Sequence, residues 1–180
     1  MRIISGEHKG YRFPQRNMPH ARPTTDRAKE ALFNVLDQKY YFDQIEVLDL
    51  YSGLGSVSLE FLSRGCPKVV AIEQNFKSVR YISEIAKHLK LELDLKQNRV
   101  LKYLKNTTEQ FDIVFADPPY QATQEIKELI DVLAGGDYLK PNGVFVLEHI
   151  SSYTINHPNC YESRKYGQST FSFFNFESAK

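Results

Sequence analysis

From residue 43 onward, short runs rich in β-branched and aromatic residues alternate with longer stretches in which apolar residues recur every three or four positions. This alternation predicts a parallel sheet wrapped by helices. Strands are expected at 45–50, 68–73, 91–96, 111–116 and 143–148. Between them, Phe76, Val79, Ile82, Ile85 and Leu89 mark one helix over 76–90, and Ile126, Leu129, Ile130 and Leu133 mark another over 123–133. Past Glu148 the pattern changes to two β-rich runs, 160–166 and 170–176, joined through Gly167-Gln168-Ser169. An antiparallel hairpin is expected there. Ahead of the sheet, two short β-like runs flank Gly6 to Gly10, and a helix follows in which Ala28, Ala31, Leu32, Val35 and Leu36 form an apolar stripe. Thr24 or Thr25 can cap that helix, with Asp26 in its first turn. The chain thus reads as one compact unit: an N-terminal extension, 1–40, on a main domain, 41–180.

Composition narrows the class. The chain has 180 residues, 42% of them hydrophobic and 25% charged, enough for one core without staples. Its two cysteines, Cys66 and Cys160, form no CxxC or zinc pattern, so no metal site is expected. No run has the length of a membrane span or a secretory leader, and a cytoplasmic monomer is expected. The net charge of +1 conceals an asymmetry: residues 1–40 carry eight basic against four acidic residues, and the remainder fifteen against eighteen. Within 1–22 the ratio is five to one, interleaved with Tyr11, Phe13, His8 and His20, a mixture suited to phosphates and bases. Arg2, Lys9, Arg12 and Arg22 are the candidate nucleic-acid contacts.

Two turns carry candidate chemistry. Asp49-Leu50-Tyr51-Ser52-Gly53-Leu54-Gly55 follows the first strand and opens a helix. Gly53 and Gly55 allow a ligand close to the backbone. Glu73, at the end of the second strand, can accept both hydroxyls of a ribose. The third position of a GxGxxG count from Gly53 is Ser58, and Asp49 would repel a pyrophosphate, so the loop favours S-adenosylmethionine, with its cationic end near Asp49, over NAD. The second turn is Asp117-Pro118-Pro119-Tyr120. Its prolines make it rigid, Asp117 and the Pro118 carbonyl can accept the two hydrogens of an exocyclic amine, and the Tyr120 ring can cover the base.

These landmarks, with the opening Met1 to Gly6, Lys9-Gly10 and the run Arg22-Pro23-Thr24-Thr25-Asp26-Arg27 through Asn34, give a chain that resembles the RsmD family of small-subunit ribosomal RNA guanine-N2 methyltransferases along nearly its whole length. The resemblance implies a Rossmann-like class I methyltransferase with a seven-stranded, mostly parallel sheet and a C-terminal antiparallel hairpin. It also implies S-adenosylmethionine as donor, a partner in 16S-type ribosomal RNA or a small-subunit assembly intermediate, and an amine held by Asp117, Pro118 and Tyr120. Tyr51, Asn34, and Asn98 or Arg99 join Asp49, Gly53, Gly55 and Glu73 as implied cofactor contacts. The family's glycine loop reads closer to Phe-Ala-Gly-Ser-Gly, and this chain keeps both turn glycines. Other readings of the same residues are a small-molecule or adenine-N6 methyltransferase, an NAD-dependent oxidoreductase, and a non-catalytic RNA-binding assembly factor. The Asp-Pro-Pro-Tyr turn alone does not separate guanine N2 from adenine N6, since both are exocyclic amines.

Overall fold

A computed structural model of the chain describes residues 1–16, 25–119 and 123–176. Seven strands form one sheet in the order β3-β2-β1-β4-β5-β7-β6. They are β1 (Glu46–Leu50), β2 (Lys68–Glu73), β3 (Asp94–Gln97), β4 (Phe111–Ala116), β5 (Leu139–Ile150), β6 (Cys160–Tyr166) and β7 (Ser169–Phe174). The first five pair in parallel, and β7 inserts antiparallel between β5 and β6 as the expected hairpin. The α-helices among the described residues are α1 (Asp26–Leu36), α2 (Ser56–Ser63), α3 (Phe76–Leu89), α4 (Val100–Leu104) and α5 (Thr123–Gly135).

Strand alternation sorts the core into two layers. Val47, Val69, Ile113, Phe115, Val144, Val146, Phe171 and Phe173 bury against α1, α2 and α3. Leu48, Leu50, Val70, Ile72, Val114, Phe145 and Leu147 bury against α4 and α5 on the other face. The strand order reverses between β1 and β4, where the loops after them diverge to opposite sides. In an open α/β sheet that switch point is where a ligand finds a crevice.

Several strand boundaries differ from the sequence pattern: β1 begins at 46 rather than 45, β7 spans 169–174 rather than 170–176, and the third and fifth strands depart further. The third strand begins at Asp94 rather than 91, because Lys90 takes a left-handed φ of 56° and the Leu91 amide donates back to Ala86 O at 2.9 Å, which makes Leu91 part of the end of α3. The fifth begins at Leu139 rather than 143: Leu139 pairs with Phe111, and a register shift between Phe111 and Ile113 absorbs the Pro141-Asn142-Gly143 segment. α4 was not expected, its five residues being too few to show a period.

The N-terminal segment folds as a small hairpin, bridged at Arg2 and Arg12, with Ile3 and Phe13 inside the main core. Its attachment is polar and buried. Glu60 of α2, fully buried, accepts the amides of Ile4 (2.7 Å) and Ser5 (3.0 Å) as well as Arg64 Nε (2.9 Å). Lys29 of α1, equally buried, donates to Arg2 O (2.6 Å) and Ser56 Oγ (3.0 Å) and lies 3.3 Å from Glu60. Burial lowers the Lys29 pKa, and Glu60 offsets part of that. At Gly6 a Cβ would stand 1.8 Å from Ser63 O, so only glycine lets the hairpin lie this close to α2.

Candidate active site

A cavity of about 1330 Å³ opens at the carboxyl ends of β1, β2, β4 and β5. Its wall is built from strand ends: Asp49, Glu73, Asp117 and Glu148 each stand within two residues of the end of a parallel strand, and all four line the cavity.

The glycine loop forms the floor. Ser52 is fixed by its amide to Ile72 O (3.0 Å) and its hydroxyl to Asp49 O (3.0 Å), and Gly55 donates to Ser52 O at 2.7 Å. Gly53 has φ +57° and lines the cavity, and a Cβ there would meet only Tyr51 O at 3.8 Å, so the turn conformation rather than crowding calls for glycine. Gly55 has a different reason to be glycine. At φ +75° it caps α2, and a Cβ there would meet the Ile82 side chain at 3.0 Å, so it serves helix packing and does not line the cavity. Tyr51 is held at φ +61°, a conformation that costs a non-glycine residue about 1–3 kcal/mol. Its hydroxyl donates to Glu125 Oε1 of α5 at 2.7 Å, and burial together with that bond raises its pKa.

Asp49 is 1% exposed. One carboxylate oxygen accepts from Ser58 Oγ, while Oδ1 is buried without a hydrogen-bond partner among the described residues. Burial pushes its pKa up to about 7 against the pull of Ser58, with Glu73 adding repulsion. A buried lone oxygen of this kind costs free energy until a donor arrives. Ser58, which breaks the GxGxxG count, is therefore the group that orients Asp49.

Glu73 lines the cavity with both oxygens already engaged: Oε2 accepts the Gly53 amide (2.8 Å) and Oε1 the Asn75 amide (2.7 Å). Each oxygen has a second lone pair, so the carboxylate both fixes the loop and can accept a diol. Asn98 and Arg99 line the same side; the Asn98 amide donates to Glu73 O (3.1 Å), and its side-chain oxygen accepts from the Arg99 amide (2.9 Å). Opposite them, the Asp117 amide donates to Leu50 O (3.3 Å), and Pro118 is buried while Pro119 is exposed. Asn34 does not join the cavity. It stands on the exposed face of α1, because the stripe that packs that helix turns Leu32, Phe33, Val35 and Leu36 inward. Tyr120 and Arg22 lie outside the described residues.

Arg2, Lys9 and Arg12 are exposed on the hairpin, with Arg2 Nε 3.7 Å from Asp26. Sequence reasoning missed Glu148, Ser169, Glu125 and Thr25, all of which line the cavity. For Glu148 a signal existed: it repeats the acidic strand end seen at Asp49, Glu73 and Asp117.

The family described as conserved hypothetical protein 95 matches residues 1–175. Ribosomal RNA small subunit methyltransferase D of Haemophilus influenzae is 35% identical over 153 residues, covering 82% of this chain and 78% of the relative. A solved structure from Thermus thermophilus, hypothetical protein TTHA0928, superposes with a TM-score of 0.86 at 26% identity, covering 97% of this chain and 98% of that one. A T. thermophilus 16S rRNA N2 methyltransferase in complex with AdoMet and guanosine superposes at 0.66 with 20% identity, over 88% of this chain and 45% of that one, a likeness of fold. The fold is that of the Rossmann-like class I methyltransferases, and the chain belongs to the RsmD family.

Proposed function

We propose that the protein transfers a methyl group from S-adenosylmethionine to the exocyclic N2 amine of a guanine in 16S-type small-subunit ribosomal RNA. The observation that carries the cofactor part of this reading is Asp49 Oδ1, a buried carboxyl oxygen without a hydrogen-bond partner among the described residues, in a cleft that the Asp-Pro-Pro turn also lines. It fits a cationic amino-acid end and repels a pyrophosphate. The relatives that share the family and most of the chain's length bear names of ribosomal RNA methyltransferases, which supports RNA as the substrate.

The sulfonium donor, when bound, supplies an electrophilic methyl group, so no covalent enzyme intermediate is needed and the task of the protein is positioning. Asp49 would hold the amino-acid end, Gly53 and Tyr51 the loop around it, Glu73 the ribose, and Asn98 or Arg99 the adenine edge. Asp117 and the Pro118 carbonyl would accept the amine hydrogens and present the nitrogen lone pair for transfer, which would leave the cofactor as its neutral thioether and release one N2 proton to water. Tyr120 covers the flipped base, and stacking of this kind offsets about 1–3 kcal/mol of the unpairing cost. Residues 1–40, with Arg2, Lys9, Arg12 and Arg22, act as the RNA-contacting extension of the methyltransferase body, 41–180. The protein would act as a monomer, and a ribosomal substrate implies work in the cytoplasm.

The test is methylation of small-subunit RNA, naked or within assembly particles, taken from cells that lack the protein, followed by mass-spectrometric mapping. The expected product is a single N2-methylguanine. Label on adenine N6, or transfer only to small molecules, overturns the reading.

A further inference from the structure

The proposed mechanism leaves one acidic strand end unused. Glu148, 2% exposed, lies near the end of β5 and lines the cavity together with Phe115, Asp117 and Ser169. Its backbone is clamped on both sides: Leu147 pairs with Ala116 of β4, and Glu148 pairs with Phe171 of β7. Asp117 follows Ala116 directly as Glu148 follows Leu147, so the two acidic residues stand side by side on neighbouring strands, which in a sheet run about 4.8 Å apart.

An exocyclic amine alone needs two acceptors, and Asp117 and the Pro118 carbonyl supply them. Two adjacent carboxylates suit a wider array of donors. Guanine carries one: N1–H sits beside N2–H₂ on the same edge. Adenine presents its N6 amine beside an N1 lone pair, an acceptor that would face a carboxylate with no hydrogen between them. We propose that Glu148 accepts the guanine N1 hydrogen beside Asp117 and so makes the cleft selective for guanine over adenine, an inference that rests on the N2 reading above. A flipped base is recognised through its Watson–Crick edge. Burial matters here, since no water can stand in for the missing hydrogen, and a site built around a donor rejects analogues lacking it by factors on the order of 10⁴. The rigid flanks of β5 keep Glu148 from turning away.

The probe that isolates this contact is 2-aminopurine, which keeps the 2-amine of guanine and has a bare lone pair at N1. Small-subunit RNA carrying guanine, 2-aminopurine or adenine at the mapped position would be followed in single-turnover transfer with labelled cofactor. The wild-type protein is expected to methylate 2-aminopurine at least about a hundredfold more slowly than guanine. Glu148→Gln, checked for folding by circular dichroism, is expected to slow guanine and to narrow that ratio to within about tenfold, since the amide N–H can donate to N1. Wild-type transfer to 2-aminopurine within about threefold of guanine overturns the proposal, as does an unchanged ratio in the variant. If Glu148→Gln does not fold, the wild-type comparison decides alone. Absence of transfer to guanine in every RNA overturns the N2 reading and this inference with it, whereas equal transfer to guanine and 2-aminopurine overturns only the role of Glu148.

Discussion

Cofactor affinity should depend on pH through Asp49. In the empty protein its carboxyl titrates near 7, well above the ordinary value of 3.8, because it is buried. The sign follows from linkage: a carboxyl whose folded pKa is raised favours the protonated fold, so stability falls as pH rises from about 4 to 7. At 1.36 kcal/mol per pH unit, holding Asp49 ionised costs the empty protein about 4 kcal/mol. A cationic amino-acid end placed against Oδ1 reverses that preference, and binding below neutrality must release the proton. Affinity should therefore be about tenfold weaker at pH 6 than at pH 8, and nearly a hundredfold weaker at pH 5. S-adenosylhomocysteine, which shares that end, suits titration calorimetry in two buffers of different ionisation enthalpy. About 0.9 proton should leave per site at pH 6. Asp49→Asn should bind weakly with a flat profile between pH 5 and 7.5. Equal wild-type affinity at pH 6 and 8, or the same slope in Asp49→Asn, would refute the assignment of Asp49 to the cationic end.

Four further outcomes are expected. Glu73→Ala should weaken cofactor binding about ten- to a hundredfold by calorimetry, a loss of about 1.5–3 kcal/mol, and should speed amide exchange at Gly53 and Asn75, whose acceptor disappears. Asp117→Ala should lower the single-turnover rate while cofactor affinity holds; an unchanged rate removes it from the amine. Glu60→Ala should cost about 3–5 kcal/mol in denaturant unfolding, because Lys29 and two hairpin amides lose their buried acceptor. Neutralising Arg2, Lys9 and Arg12 together should flatten the slope of log RNA affinity against log salt by about two for single-stranded RNA and up to about three for a duplex. Parallel lines at equal affinity would show that the arm does not dock RNA.

The parallel sheet was legible because its central strands are continuous apolar runs bounded by turn residues; 68–73 and 111–116 match β2 and β4 residue for residue. Boundaries failed where backbone pairing contradicted side-chain character. Leu91 looks like strand and caps a helix, and Pro141 and Gly143 look like a turn and lie within β5. In the cleft, acidic residues at or next to the ends of apolar strands stand out, which makes Asp49, Glu73 and Asp117 readable from the chain alone. Ser58 and Glu125 give no such signal: each sits within a helix and matters only through a partner distant in the chain, Asp49 for one and Tyr51 for the other. Asn34 shows the converse, a residue within a recognisable run that the helix turns toward solvent.

The hairpin's socket has a consequence for how its outer surface can change. Glu60 takes the main-chain amides of Ile4 and Ser5, Lys29 reaches the carbonyl of Arg2, Ser63 Oγ donates to the carbonyl of Ser5, and the amides of Glu7 and His8 return to Ser63. All of these contacts read the path of the chain and none reads a hairpin side chain. Arg2, Lys9 and Arg12 are thus free to be exchanged without loosening the anchor, while Gly6 is not. Point changes at these exposed positions can therefore alter the charge the arm presents while the buried socket stays as it is.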